Sequence, residues 1–223
     1  LSRNASAAAR AAERSRAMPE YKVRPLACTS LTLRSSGNTE PSLRLLGRLF
    51  GSEPLAEELI TFRRDQIARV TGLLAKVPDL KRPLVMLDRI PGYSDACCMS
   101  FGNENFGLMV EMAGGHNLGS ELLPGTFGTI NPETIIARDP DVVIVTGGNW
   151  DMLAPGGGWV GLGPGADLSA ARSKLETLAK RPAFAHGKAV AEKRVFAIWH
   201  QFYNSPYQFV ALQRIASWLH PQL

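Results

Sequence analysis

Six side chains have the makings of a small-molecule binding surface: Arg89, Tyr93, Trp150, Trp159, His200 and Tyr203. Tyrosine and tryptophan give broad, rigid contact area at little entropic cost. Arginine adds a planar, permanently charged fork for carboxylate and other oxygen anions. All six follow segments that read as β-strands, and open α/β sheets bind ligands beyond the carboxyl ends of their strands. Trp150 and Trp159 also have a plainer reading, packing within their own loop. Trp199, inside a strand, and Trp218, on the last helix, read as core. His200 and Tyr203 are close enough in sequence to suggest direct metal ligation, but no carboxylate partner has an assignable position, so no metal site is assigned. His116 follows a pair of glycines and reads as a turn residue, while His186 and His220 mark a loop and the chain end.

Catalytic constellations are absent from the sequence, and no catalytic residue is assigned. There is no Gly-x-Ser-x-Gly elbow and no HExxH helix. The run GGGWVGLG at 156–163 lacks the GxxxxGK[ST] of a phosphate loop. It reads as a flexible lid or a ligand-contacting loop. An α/β enzyme or nucleotide-binding protein holding phosphate in the 147–166 loop is the alternative. The three cysteines are Cys28, Cys97 and Cys98, with no CxxC pair, which argues against structural zinc. Neighbouring cysteines point apart on most backbones, so a Cys97–Cys98 bridge is expected to be strained.

These residues must be held by a fold, and the chain of 223 residues is long enough for one good-sized domain. The formal charge of +5 sits wholly in residues 1–38, which hold seven Lys/Arg and two Glu. The remainder is balanced, which argues against nucleic acid as a partner. No segment approaches the roughly 20 apolar residues needed to span a bilayer. The head has no secretory apolar core, since Ala7-Ala8-Ala9 is broken by Arg10.

Residues 41–77 read as helical. Leu43, Leu46, Leu49 and Phe50 recur at helical spacing, and Gly51 stops that run. Ser52 is placed to cap the next helix, with Glu53 and Pro54 in its first turn. Leu59, Phe62, Ile67, Val70 and Leu74 form its apolar stripe, and Arg63, Arg64, Asp65 and Arg69 its wet side. A strand is expected over 83–88 and a helix over about 105–113, ending at Gly114-Gly115. Next come a short helix opened by Pro132, a turn at Asp139-Pro140-Asp141, and the β-branched run Val142 to Val145. Such a run suits a parallel strand covered on both faces. A helix over about 168–180, a strand over 194–199 and a helix from Ser205-Pro206 to about Leu219 complete the order. The alternation predicts an α/β fold, a single Rossmann-like parallel sheet with helices on both faces.

Two segments carry a resemblance. NPETIIARDPDVVIVTGG at 131–148 and WHQFYNSPYQFVALQ at 199–213, followed by WLHP, resemble class III periplasmic binding proteins. These are the substrate-binding components of ABC importers for ferric siderophores, haem and cobalamin. The resemblance runs from about Asn38 to the end and leaves out the first 37 residues. It implies connecting helices over 38–79, with a long helix that joins two lobes, and a C-terminal lobe over 80–223. Residues 1–37, rich in Ala, Arg and Ser, read as a disordered basic head; an organellar transit peptide or sequence foreign to the frame are the alternatives. One copy of the helix–strand motif, with no internal repeat, leads us to expect that the N-terminal lobe is missing, so that this chain alone binds weakly or not at all.

The resemblance also implies roles. Glu133 takes the place of the glutamate that docks into an arginine pocket on the inner-membrane ABC permease; a plain helix-dipole partner is the alternative. The expected ligand is an iron complex, a ferric siderophore, haem or a cobalamin-like molecule, with no resident cofactor and no catalysis. A monomer, periplasmic or lipid-anchored at the cell surface, is expected. A remnant that no longer binds is a third reading.

Overall fold

A computed structural model describes residues 38–93 and 97–223. The head 1–37, with Cys28, lies outside the described residues. Two helices open the described chain, α1 (Thr39–Phe50) and α2 (Glu53–Leu74). Gly51 separates them in the left-handed region at φ 62°, where its N–H bonds to the Gly47 carbonyl, a conformation that glycine adopts without steric cost. Exposed Arg44 grips Glu57 through two hydrogen bonds at 2.6 and 3.1 Å, and Arg64 pairs with Glu40. Such exposed pairs contribute little to stability.

The long helix exists as expected, but its buried face is rotated. Ala56, Ile60, Arg63 and Val70 are buried, and Ile67 and Leu74 pack on the core beside them. Phe62 is half exposed and meets Phe209 edge-on. Arg63, expected on the wet side, is only 4% exposed. Its aliphatic stem lets it lie on the stripe, while its Nη2 donates to Gln208 Oε1 at 3.1 Å. Ser52 occupies the cap position without capping, because its hydroxyl turns back to the Phe50 carbonyl.

Among the described residues the main sheet has four strands in the order β3-β1-β5-β6, and all neighbours run parallel. They are β1 (Leu84–Arg89), β3 (His116–Asn117), β5 (Val142–Gly147) and β6 (Val195–Trp199). All six residues of β5 are buried, as its β-branched run requires. Alternate side chains enter two cores. Val85, Leu87, Val142 and Ile144 face α2, α3 (Phe106–Met112) and α8 (Gln208–Leu219). Met86, Val143 and Val145 face α5 (Pro132–Arg138), α6 (Leu168–Ala179) and α7 (Lys188–Ala191). Asp141 ties the strand starts together: it accepts the Leu84 N–H at 2.8 Å and Lys188 Nζ at 3.0 Å.

Several small elements differ from expectation. β2 (Met99–Phe101) and β4 (Phe127–Thr129) form a separate antiparallel pair, and α4 (Leu118–Leu122) follows β3 directly. His116 is a strand residue paired with Leu84, not a turn residue. The structure bonds Cys97 to Cys98 in a disulfide across a cis peptide, so their side chains do not diverge. The final helix begins at Gln208, behind a 3-10 turn over His200–Asn204, later than the Ser205-Pro206 opening.

Candidate functional site

The chain leaves β1, forms β3 on one flank, and returns to form β5 on the other. Loops diverge where strand order reverses, and a crevice opens beyond the strand ends. Register places Arg89 of β1 beside Thr146 of β5, and Gly147 of β5 beside Trp199 of β6. A cavity of about 380 Å³ lies there. Arg89, Tyr93, Trp150, His200 and Tyr203 all line it, so five of the six residues singled out by type and position come together.

The rings form a continuous wall. Trp150 meets Tyr93 edge-on at 6.3 Å and His200 at 5.4 Å, and His200 meets Tyr203 at 4.9 Å. Behind them, Phe101 and Phe106 pack on His200 and Tyr203. The Arg89 guanidinium lies 4.6 Å from the Phe127 ring centroid and 5.7 Å from that of Phe101, within cation–π range. Arg89 has no carboxylate partner among the described residues, and its Nε has no hydrogen bond. Burial lowers its pKa, but arginine stays charged at any working pH. Among the described residues, no carboxylate lines the cavity.

His200 is buried, and its Nδ1 lies 2.9 Å from Thr146 Oγ1. Burial first, and the Arg89 charge second, push its pKa down to about 4. The ring is therefore neutral at pH 7. Trp150 Nε1 and Gln201 Oε1 are also buried without a partner among the described residues. Thr146, Gln201, Leu153 and Asn204 were not singled out from sequence. Thr146 left one signal: it is the polar residue that ends an otherwise apolar run.

Trp159 is elsewhere. Its Nε1 donates to the Ala154 carbonyl at 3.1 Å, and its ring packs against Gly157. It lines a separate cavity of about 410 Å³ with Lys174 and Asp167. The glycine-rich loop is laid over the β1 loop, where Gly158 N–H bonds to the Gly92 carbonyl at 3.1 Å. At Gly92, with φ 78°, an added Cβ would lie 2.2 Å from the Gly158 backbone. Trp199 packs edge-on to Phe202, and Trp218 stacks on Phe196 at 4.6 Å.

Glu133 is exposed in the first turn of α5, behind the Asn131 cap, and forms no ion pair among the described residues. Asp88, on the other face of β1 from Arg89, is buried and pairs with Arg181. Burial pushes its pKa up to about 6, with Arg181 limiting the rise. Among the described residues no group of three His, Cys, Asp or Glu could hold a metal. No helix among them is long and apolar enough to cross a membrane.

Residues 20–201 match the family described as periplasmic binding protein. The chain belongs to that family. The match reaches into the head, further back than the motif resemblance from Asn38. A cobalamin-binding protein of Halobacterium salinarum is 31% identical over 109 residues, 48% of this chain and 28% of that protein. A TroA-like periplasmic binding protein, FepB from Veillonella parvula, superposes with a TM-score of 0.73 at 23% identity, covering 83% of this chain and 52% of its own. The periplasmic haem-binding protein RhuT from Roseiflexus sp. RS-1 superposes with a TM-score of 0.62 at 18% identity, covering 82% and 62%. These superpositions establish the shared fold. The chain therefore spans only part of each relative, from 28% to 62% of its length.

Proposed function

We propose that this periplasmic binding protein is the capture component of an ABC importer for an iron complex of the ferric siderophore type. It binds without catalysing and delivers its ligand to a membrane permease. The observation that carries this reading is the cavity at the strand ends, where Arg89 stands among Tyr93, Trp150, His200 and Tyr203 with no carboxylate among the described lining residues. That chemistry suits an anionic chelate with flat apolar edges. Haem and cobalamin, named for two of the relatives, share the flat shape and remain ligands to compare. Glu133 supports delivery: an exposed carboxylate at a helix N-terminus suits the arginine forks of a permease. The site of action is the periplasm or the outer face of the membrane.

Titration with a ferric siderophore, read by tryptophan fluorescence, tests the proposal. Saturable but weak quenching is expected, since the lining comes from one sheet edge only. Trp150→Phe should remove most of the signal, and Arg89→Ala should weaken binding about tenfold or more, a loss of about 1.4 kcal/mol. Affinity indifferent to Arg89 would remove the reading. Thermal-shift screening keeps the nucleotide alternative open to proof, because a nucleotide bound to the folded chain would raise its melting point.

A non-binding remnant is favoured by one observation. Leu49, Phe50 and Leu55 on α1 and α2 are 63%, 77% and 65% exposed, as on an apolar face that nothing among the described residues covers. A broad, non-cooperative melt without any ligand shift would support it.

A further inference from the structure

Thr146 is the fifth residue of β5, 1% exposed, and joins two residues that line the cavity, Ile90 and His200, from behind. The Ile90 N–H donates to its Oγ1 at 3.0 Å, and His200 Nδ1 lies 2.9 Å from the same oxygen. A threonine hydroxyl has one proton and two lone pairs, and Ile90 occupies one lone pair. If His200 also donated, through an Nδ1–H, the hydroxyl proton would be left without an acceptor among the described residues. Buried polar hydrogens are rarely left so, and an orphan costs about 1–3 kcal/mol. The satisfied arrangement runs one way: Ile90 N–H to Thr146 Oγ1, then Thr146 Oγ1–H to His200 Nδ1. The single proton of the neutral ring then sits on Nε2. With Nδ1 engaged, Nε2 is the nitrogen left for the cavity.

We infer that Thr146 is a positioning residue that fixes His200 as the Nε2–H tautomer, so that His200 meets the ligand as a hydrogen-bond donor to an oxyanion rather than as a lone-pair ligand to a metal. The surroundings agree. Arg89 and Trp150 line the same cavity, Arg89 Nε and Trp150 Nε1 are donors without a partner among the described residues, and no carboxylate among the described lining residues competes for them. A chelate whose metal is already saturated offers oxygens at its rim and is accepted. A flat macrocycle that needs an axial nitrogen finds none here. The ligand preference rests on the binding reading above; the tautomer does not.

Long-range 1H–15N correlation spectra of the ligand-free protein at pH 7 test the tautomer directly. His200 is expected to show the Nε2–H pattern, retained in Thr146→Ser and lost to a mixture in Thr146→Val. An Nδ1–H pattern in the wild type overturns the inference, and so does a pattern that Thr146→Val leaves unchanged. Should Thr146→Val fail to fold, the wild-type and Thr146→Ser spectra still decide. The ligand preference is read with hemin: no histidine–iron shift of the absorption band that His200→Ala abolishes is expected, and such a shift counts against the inference. Failure of every iron complex to bind would instead remove the functional reading while leaving the spectra as they are.

Discussion

His200 and Asp88 are buried groups whose ionisation opposes folding in opposite directions along the pH scale. For His200 the folded pKa, about 4, lies below the ordinary value of 6.5. The unfolded chain therefore binds the extra proton between these values, and stability rises with pH across that window. For Asp88 the folded pKa, about 6, lies above the ordinary 3.8. Here the folded state holds the extra proton, so stability falls as pH rises from about 4 to 6. The two slopes oppose each other over pH 4–6, so each partly masks the other in the wild type. Urea unfolding of His200→Phe should reveal a falling stability over that range, and Asp88→Asn a rising one, each by on the order of 2–3 kcal/mol. Identical pH profiles for all three proteins would show that neither group is buried in its charged-disfavouring site.

At the scale of elements, the long helix does more than precede the sheet. Arg63 on α2 donates to Gln208 at the start of α8, and Gln208 Nε2 donates to the Tyr203 carbonyl at 2.7 Å. The 3-10 turn bearing His200 and Tyr203 is thus braced from behind through helix packing. Two substitutions should differ in cost. Arg63→Met keeps apolar volume and removes a buried charge, which offsets part of the cost of leaving Gln208 Oε1 without this donor, so it should cost less, about 1 kcal/mol. Gln208→Leu removes the acceptor of a buried guanidinium and should cost about 2–4 kcal/mol. Gln208→Leu should also weaken siderophore quenching, because the turn it braces carries two of the cavity rings. Equal costs for the two changes would mean that the charge is not desolvated as its burial implies. The separate β2–β4 pair plays a similar part, placing Phe101 and Phe127, paired in register, both within cation–π range of Arg89.

For the whole molecule the two surfaces of interest are separable. The cavity lies at the strand ends, whereas Glu133 is exposed on a helix outside it. Glu133→Ala is therefore expected to leave ligand titration unchanged while lowering permease-dependent uptake about tenfold, as loss of one charge-assisted contact implies. Uptake by vesicles carrying the permease checks it; coupled loss of binding and uptake would place Glu133 in the cavity's own support instead. The fold superpositions by themselves say nothing about which ligand the rings hold.

Periodicity was enough to foretell the parallel sheet, because a β-branched run between Asp-Pro-Asp and Gly-Gly has few other homes. It was enough to place Arg89, Tyr93, Trp150, His200 and Tyr203 at strand ends, where chain order alone sends them to one edge. What it could not supply were contacts between distant parts of the chain. Arg63 reads as a wet residue until Gln208, 145 positions away, arrives to accept from it. His116 reads as a turn until Leu84 pairs with it, and Trp159 shares the chemistry of Trp150 until its loop folds it onto Gly157. Thr146 looks like one more strand residue until the β1 loop and the β6 turn both reach its hydroxyl. Local sequence determines which elements form and which edge they present, because those depend on side-chain spacing over a few residues. Only the tertiary structure decides which polar atoms are satisfied and which are left facing the cavity, because hydrogen-bond partners are set by packing across the whole chain.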